Sequence, residues 1–137
     1  MTMTRSCTGG IVASMKFTLE ASSRVNLIRA YSAQEIRIGE QRVHGTCIVT
    51  ADQLITQWAP ASLDDLTEAH LETLLALQPE LVLLGTGPVQ RFPPAAIRAA
   101  VMARGVGIEV MDLGAACRTF NILVQEERRV AAALFLK

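Results

Sequence analysis

Two stretches of this 137-residue chain combine residue types and spacings that could support chemistry. The first is Gly85-Thr86-Gly87, which follows the apolar run Leu81-Val82-Leu83-Leu84. Glycines there let backbone N–H groups approach an anion, and a helix beginning after the loop adds partial positive charge. A dinucleotide fingerprint wants a third glycine where this chain has Gln90, and prolines interrupt the loop. A Walker Gly-Lys-Ser/Thr is absent too. The plain alternative is a strand end that needs a tight turn. Arg91, just beyond, either attracts a carboxylate or phosphate or is simply solvated.

The second stretch runs from Met111 to Asn121. Asp112 falls at the carboxyl end of a predicted strand, where open α/β sheets place their ligand crevices. Cys117 falls early in the following helix, where the dipole favours a thiolate. Arg118 offers a counter-charge, and Asn121 shares the face of Cys117 four residues on. Cys117 has two readings. As a nucleophile it needs a base, which His44 could supply only through the tertiary fold. As a small core residue among alanines it needs nothing, because free cysteine is commonly buried. Asn121 has two readings as well: a mid-helix amide must find hydrogen-bond partners, either a neighbouring strand or loop such as the Gly85–Gly87 turn, or a ligand.

Other polar clusters read as structural. Glu126-Glu127-Arg128-Arg129 is a charged break before a final strand, normally a solvated turn with weak ion pairing. Asp64 and Asp65 read as helix-start charge. Cys7, Cys47 and Cys117 are odd in number and far apart, and only His44 and His70 could join them. Zinc wants four closely placed N/S ligands, so no metal is expected, and no cofactor or catalytic set either. Without a disulfide framework the expected setting is reducing and cytoplasmic.

Composition narrows the partners. Thirteen Lys+Arg against 13 Asp+Glu give a net charge of zero, which removes the electrostatic footprint of a nucleic-acid binder. Hydrophobic residues make up 50 % of the chain, enough to build a core. The longest apolar stretches, Leu81–Leu84 and Val130–Leu136, fall well short of the roughly 20 residues of a transmembrane helix. Residues 1–14 precede a second methionine, Met15, and read as a disordered tail or expression leader, leaving 15–137 as one domain.

The elements that must position these residues follow from periodicity and turn chemistry. Asn26–Tyr31 and Glu35–Ile38 alternate partially, and Gly39-Glu40-Gln41 turns the chain into Arg42-Val43-His44, a predicted β-hairpin. Thr46–Thr50 reads as a half-buried strand, and Ile55–Ala59 as a short one ending at Pro60. Ser62 starts a predicted helix that carries Leu71, Leu74, Leu75 and Leu77 and stops at Pro79. Leu81–Leu84 suits a central parallel strand. A helix opened by Pro93-Pro94 shows Ile97, Val101 and Met102 inward and is capped by Gly105. Ile108–Met111, a helix from Gly114 to about Gln125, and a strand Val130–Leu136 complete the order. A hairpin region followed by α-β-α-β-α-β implies an α/β fold with helices on both faces of a sheet.

At Gly85-Thr86-Gly87, Ala116-Cys117-Arg118-Thr119-Phe120-Asn121-Ile122-Leu123 and Glu126–Leu134 the chain resembles the Mth938-like domain of unknown function family, which includes mitochondrial respiratory complex I assembly factor three. The resemblance covers about Leu27 to Leu136. It implies a single three-layer α/β domain with a central mixed sheet, and no established activity, cofactor or metal. It also implies protein partners, as expected of a non-catalytic assembly factor. Family members often have Thr where Leu113 stands, which weakens a ligand site around Asp112–Cys117, and many have Gly where Glu127 stands, which would shape the final turn differently.

The expected functional surface is therefore Gly85, Thr86, Gly87, Asp112, Cys117, Arg118 and Asn121. Three uses compete for it: protein interaction, a small-molecule crevice or unrecognised enzyme site, and self-association through exposed apolar patches. The hairpin around Ile36–Val43 offers an edge for strand addition.

Overall fold

In the computed structural model, residues 25–137 are described. The leader expected over residues 1–14, the boundary at Met15 and Cys7 lie outside them.

Five strands form the central sheet: β4 (Cys47–Val49), β5 (Leu54–Ile55), β6 (Leu81–Thr86), β7 (Gly107–Met111) and β8 (Val130–Phe135). Their order is β5-β4-β8-β6-β7. β6 lies parallel to both β7 and β8, whereas β4 runs antiparallel to β8 and β5. A second sheet, in the order β1-β2-β3, holds β1 (Ile28–Tyr31), β2 (Ile36–Ile38) and β3 (Gln41–Val43). Its β2–β3 hairpin pairs Ile38 with Gln41 across Gly39-Glu40, and Gly39 takes φ +58, as such a short turn requires.

Among the described residues three α-helices complete the domain: α1 (Leu71–Leu75), α2 (Ala95–Ala103) and α3 (Leu113–Gln125). From β6, the chain crosses by α2 to β7 on one flank, then returns by α3 to β8 on the other. Reversing direction while keeping right-handed crossovers forces α3 onto the opposite face from α2. The cores agree. Successive strand residues point to opposite faces, so Cys47, Val49, Leu83, Ala132 and Leu134 pack with α3 and the small sheet. Ile48, Val82, Leu84, Ala133 and Phe135 pack instead with α1, α2 and Trp58. The three-layer α/β architecture with a mixed sheet is the one expected.

Four local expectations need correcting. The helix expected to run from Ser62 is broken into 3-10 turns at Leu63–Asp65 and Glu68–His70 before the short α1. Leu66 is extended, at φ −70 and ψ 127, and the N–H of Thr67 bonds His70 Nδ1 at 3.0 Å, which restarts the chain. Thr46–Thr50 is more than half-buried: Cys47, Ile48 and Val49 are fully enclosed, because the small sheet covers the face expected to be wet. The short strand after it ends at Ile55. Trp58 instead turns into the second core, where its indole N–H donates to the carbonyl of His70 and its ring meets Phe135. Met102, expected inward, is 59 % exposed.

Candidate functional site

The loop after β6 and the start of α3 meet at the carboxyl rim of the parallel strands. Leu113 N–H donates to the carbonyl of Gly87 at 2.8 Å. Asp112 caps α3, its Oδ1 accepting the N–H of Ala115 at 2.9 Å. Between these elements lies an open cleft of about 300 Å³, bordered by Tyr31, Gly87, Pro88, Asp112, Arg118 and Leu136 among others. It sits where the chain leaves β6 and β7 towards helices on opposite faces, the switch point at which open α/β sheets hold ligands.

Three of the seven expected residues border this cleft, namely Gly87, Asp112 and Arg118, and four do not. Gly85 is buried against α3: a Cβ there would stand 3.0 Å from Ala116 Cβ and 3.0 Å from Leu134 Cδ2. Its role is close packing of helix on strand. Thr86 is fully enclosed. Its hydroxyl oxygen lies 2.8 Å from the carbonyl of Val89 and 3.2 Å from that of Met111, within donating distance of both, and accepts the N–H of Arg91 at 3.0 Å. That hydroxyl holds the loop in place. Arg91 is neither free nor merely solvated, since its guanidinium pairs with Asp64.

Cys117 is packed in the core with Cys47, Ala116 and Phe120. Burial, with smaller contributions from Cys47 and Asp112, raises its thiol from the usual 9.0 to about 12, outweighing the opposing pull of Arg118. Such a thiol is not ionised at neutral pH, and the helix position that could have activated it is overridden by desolvation. His44 is engaged with Glu35, its Nε2 lying 3.2 Å from the carboxylate. Asn121 closes on β1 rather than on the Gly85–Gly87 turn: Oδ1 accepts the N–H of Ile28 at 2.8 Å and Nδ2 donates to its carbonyl at 2.9 Å. Among the described residues no cluster of His, Cys, Asp or Glu could hold a metal ion.

Tyr31, the only tyrosine in the chain, borders the cleft and was not among the expected residues. Its ring lies over Gly114, so closely that a Cβ there would meet the phenol oxygen at 2.5 Å. Arg118 Nη1 is 3.4 Å from the same oxygen. Position at the end of an alternating run marked Tyr31 as a strand residue, and nothing local linked it to α3.

A three-layer α/β domain with a mixed sheet and a small open cleft at its carboxyl rim is the class of protein that this fold and site define. Residues 28–135 match the family described as "Protein of unknown function (DUF498/DUF598)", and the chain belongs to it. It is 37 % identical over 110 residues to the bovine (Bos taurus) NADH dehydrogenase [ubiquinone] 1 alpha subcomplex assembly factor 3, covering 78 % of this chain and 59 % of that protein. The chain thus spans under two thirds of that relative's length. A Francisella tularensis protein called a 13 kDa major membrane protein is 35 % identical over 72 residues, 53 % of this chain and 58 % of that one.

Solved structures agree on the fold. An NMR structure of a Xanthomonas campestris protein matches with TM-score 0.75 at 40 % identity, covering 81 % of this chain and 84 % of that one. A Bordetella pertussis structure described as a Mth938-like domain matches with TM-score 0.71 at 28 % identity, covering 80 % and 85 %. Among the described residues no helix is long and apolar enough to cross a membrane.

Proposed function

We propose that the chain is a non-catalytic interaction module that assists the assembly of another protein, acting in the cytoplasm through the rim around Gly87, Asp112 and Arg118. The observation that carries this reading is the state of the polar groups at that rim and in the helix behind it. The thiol of Cys117 is buried, the amide of Asn121 is spent on Ile28, and the Asp112 carboxylate caps α3. What remains accessible is recognition chemistry, with Tyr31 and Arg118 of the kinds that dominate protein interfaces. The relatives named as assembly factors support the same use. A photo-crosslinking amino acid placed in turn at exposed positions of the full chain, in its own cells, tests it. A discrete adduct with one different protein is expected, and absence of any adduct from every position would overturn the reading.

A second reading, a small-molecule site, is favoured by the switch-point position of the cleft. Its volume of about 300 Å³ is at the lower end for ligand pockets, and it is open, which fits a side chain better than an enclosed ligand.

A further inference from the structure

His70 ends the 3-10 turn Glu68–His70 and folds its ring back on the start of that turn. The N–H of Thr67 donates to Nδ1 at 3.0 Å, and the Thr67 hydroxyl lies 3.3 Å from the same nitrogen. The carbonyl of His70 accepts the indole N–H of Trp58 at 3.2 Å, and the two rings meet edge to face with centroids 6.3 Å apart. This is the place in a capping box where glutamate or glutamine ordinarily reaches back to the N-cap N–H. Imidazole fills it only with a lone pair on Nδ1 and its proton on Nε2. Leu63, Leu66 and Leu71 bury the connection in the second core. Two 3-10 turns and the five residues of α1 are nevertheless too short to hold their shape unaided.

We infer that His70 makes the connection from Leu63 to Leu75 an acid-sensitive latch, shut while the imidazole is neutral and released when Nδ1 takes a proton from solvent. Protonation turns the acceptor into a donor, so that Nδ1–H and the Thr67 N–H face each other and the box opens. The turn then withdraws its carbonyl from the indole, and Trp58 loses the hydrogen bond that seats it beside Phe135. The ring is half-buried, within reach of water. The charged groups on the elements around it are Asp64 and Asp65 in the preceding turn, Glu68 on its own, Glu72 on α1, and Arg98 and Arg104 on α2. Asp64 is paired with Arg91 and Glu72 with Arg104. Among the described residues no carboxylate lies within 4.0 Å of the His70 ring, so none is placed to hold an imidazolium where it stands. Histidine changes charge between pH 5 and 8, and the latch therefore answers to mild acid. The inference stands apart from the assembly reading.

The test uses the full chain, whose single tryptophan and two histidines make the signals unambiguous. Between pH 7.5 and 5.5 the Trp58 emission maximum should move to longer wavelength, with far-ultraviolet circular dichroism almost unchanged. His70→Gln puts the ordinary non-titrating partner in the box and should abolish the shift, keeping the spectrum of pH 7.5 throughout. His44→Gln should leave the shift intact. In the nitrogen-15-labelled wild type at pH 7.5, the His70 ring should carry its proton on Nε2 alone, and the Thr67 amide proton should move upfield over the same pH range as the emission. A shift that is absent in the wild type, survives in His70→Gln or vanishes in His44→Gln would overturn the inference. So would loss of emission intensity with no change in wavelength, which indicates direct quenching by the imidazolium across a shut latch. Should His70→Gln not fold, the nitrogen-15 spectra decide alone: a proton on Nδ1 at pH 7.5, or a Thr67 amide that does not move, sinks the latch.

Discussion

Asn121 on α3 holds Ile28 on β1 by both edges of its peptide groups, accepting the N–H at 2.8 Å and donating to the carbonyl at 2.9 Å across 93 residues of sequence. The amide partners the backbone of Ile28 beside the register shift between Ile28 and Ala30. It therefore fixes the small sheet to α3 and, three residues along β1, brings Tyr31 over Gly114.

Asn121→Ala should then cost about 2 kcal/mol, for two lost hydrogen bonds and two part-buried backbone groups left without a partner. Urea denaturation at neutral pH measures it. Asn121→Asp should be no better at neutral pH, because a carboxylate would face the Ile28 carbonyl, and should regain stability on acidification as its proton restores a donor.

Both described cysteines are buried, and burial raises each thiol from the usual 9.0 to about 12. A raised value in the folded state leaves stability complete below pH 9 and removes it as the pH climbs towards 12. Above pH 9 the unfolded chain ionises first, at about 1.4 kcal/mol per thiol per pH unit. Denaturation series from pH 8 to 10.5 should show this fall, and Cys117→Ala should make it shallower. In a Cys7→Ser background, a thiol reagent at pH 8 should label neither Cys47 nor Cys117 until the protein unfolds; rapid labelling of Cys117 in the folded protein would contradict its assignment to the core.

Glu80 lies at the other end of β6. The backbone N–H of Arg129, bonded to Oε1 at 2.9 Å, chiefly holds its carboxyl below the usual 4.5, with help from Arg128. Its contribution is present above pH 4.5 and is lost as the pH falls through the lowered value. Glu80→Gln should therefore flatten the acid limb of a stability profile below pH 4.5, with the remaining carboxylates setting what slope is left.

Gly85 and Gly87 differ in what a side chain would do. Gly85→Ala must push Ala116 and Leu134 back from 3.0 Å, costing about 1–3 kcal/mol as overpacking. Gly87 has φ +98 and lies against Lys137, whose carbonyl carbon a Cβ would meet at 2.9 Å. Gly87→Ala therefore strains the backbone as well and should lower the melting temperature further than Gly85→Ala.

Glu127 ends α3 in a left-handed conformation, φ +63. Its N–H bonds Val124 O, and Arg128 N–H bonds Leu123 O, both at 3.0 Å, the Schellman arrangement that glycine usually serves. The turn expected to differ without glycine keeps the glycine shape instead. Glu127→Gly should therefore raise stability by about 0.5–1 kcal/mol, measurable as a shift in urea midpoint with an unchanged slope.

The chain's own order of residues determined the layers. Apolar runs such as Leu81–Leu84 and proline and glycine punctuation are local signals, and local signals report elements and their sequence. From them followed an α/β fold with helices on both faces of a sheet, and a loop and helix start at one rim; that the sheet is mixed was implied only by the family resemblance. Packing decided the rest. Whether Cys117 faces solvent or core, and whether Asn121 reads a ligand or Ile28, depends on how α3 lies across the sheet and against β1. Tyr31 reaches Gly114 and Arg118 because strand and helix are held together by contacts 87 and more residues apart. No periodicity encodes such a pairing, since it arises only when separate elements bury their apolar faces on a shared sheet.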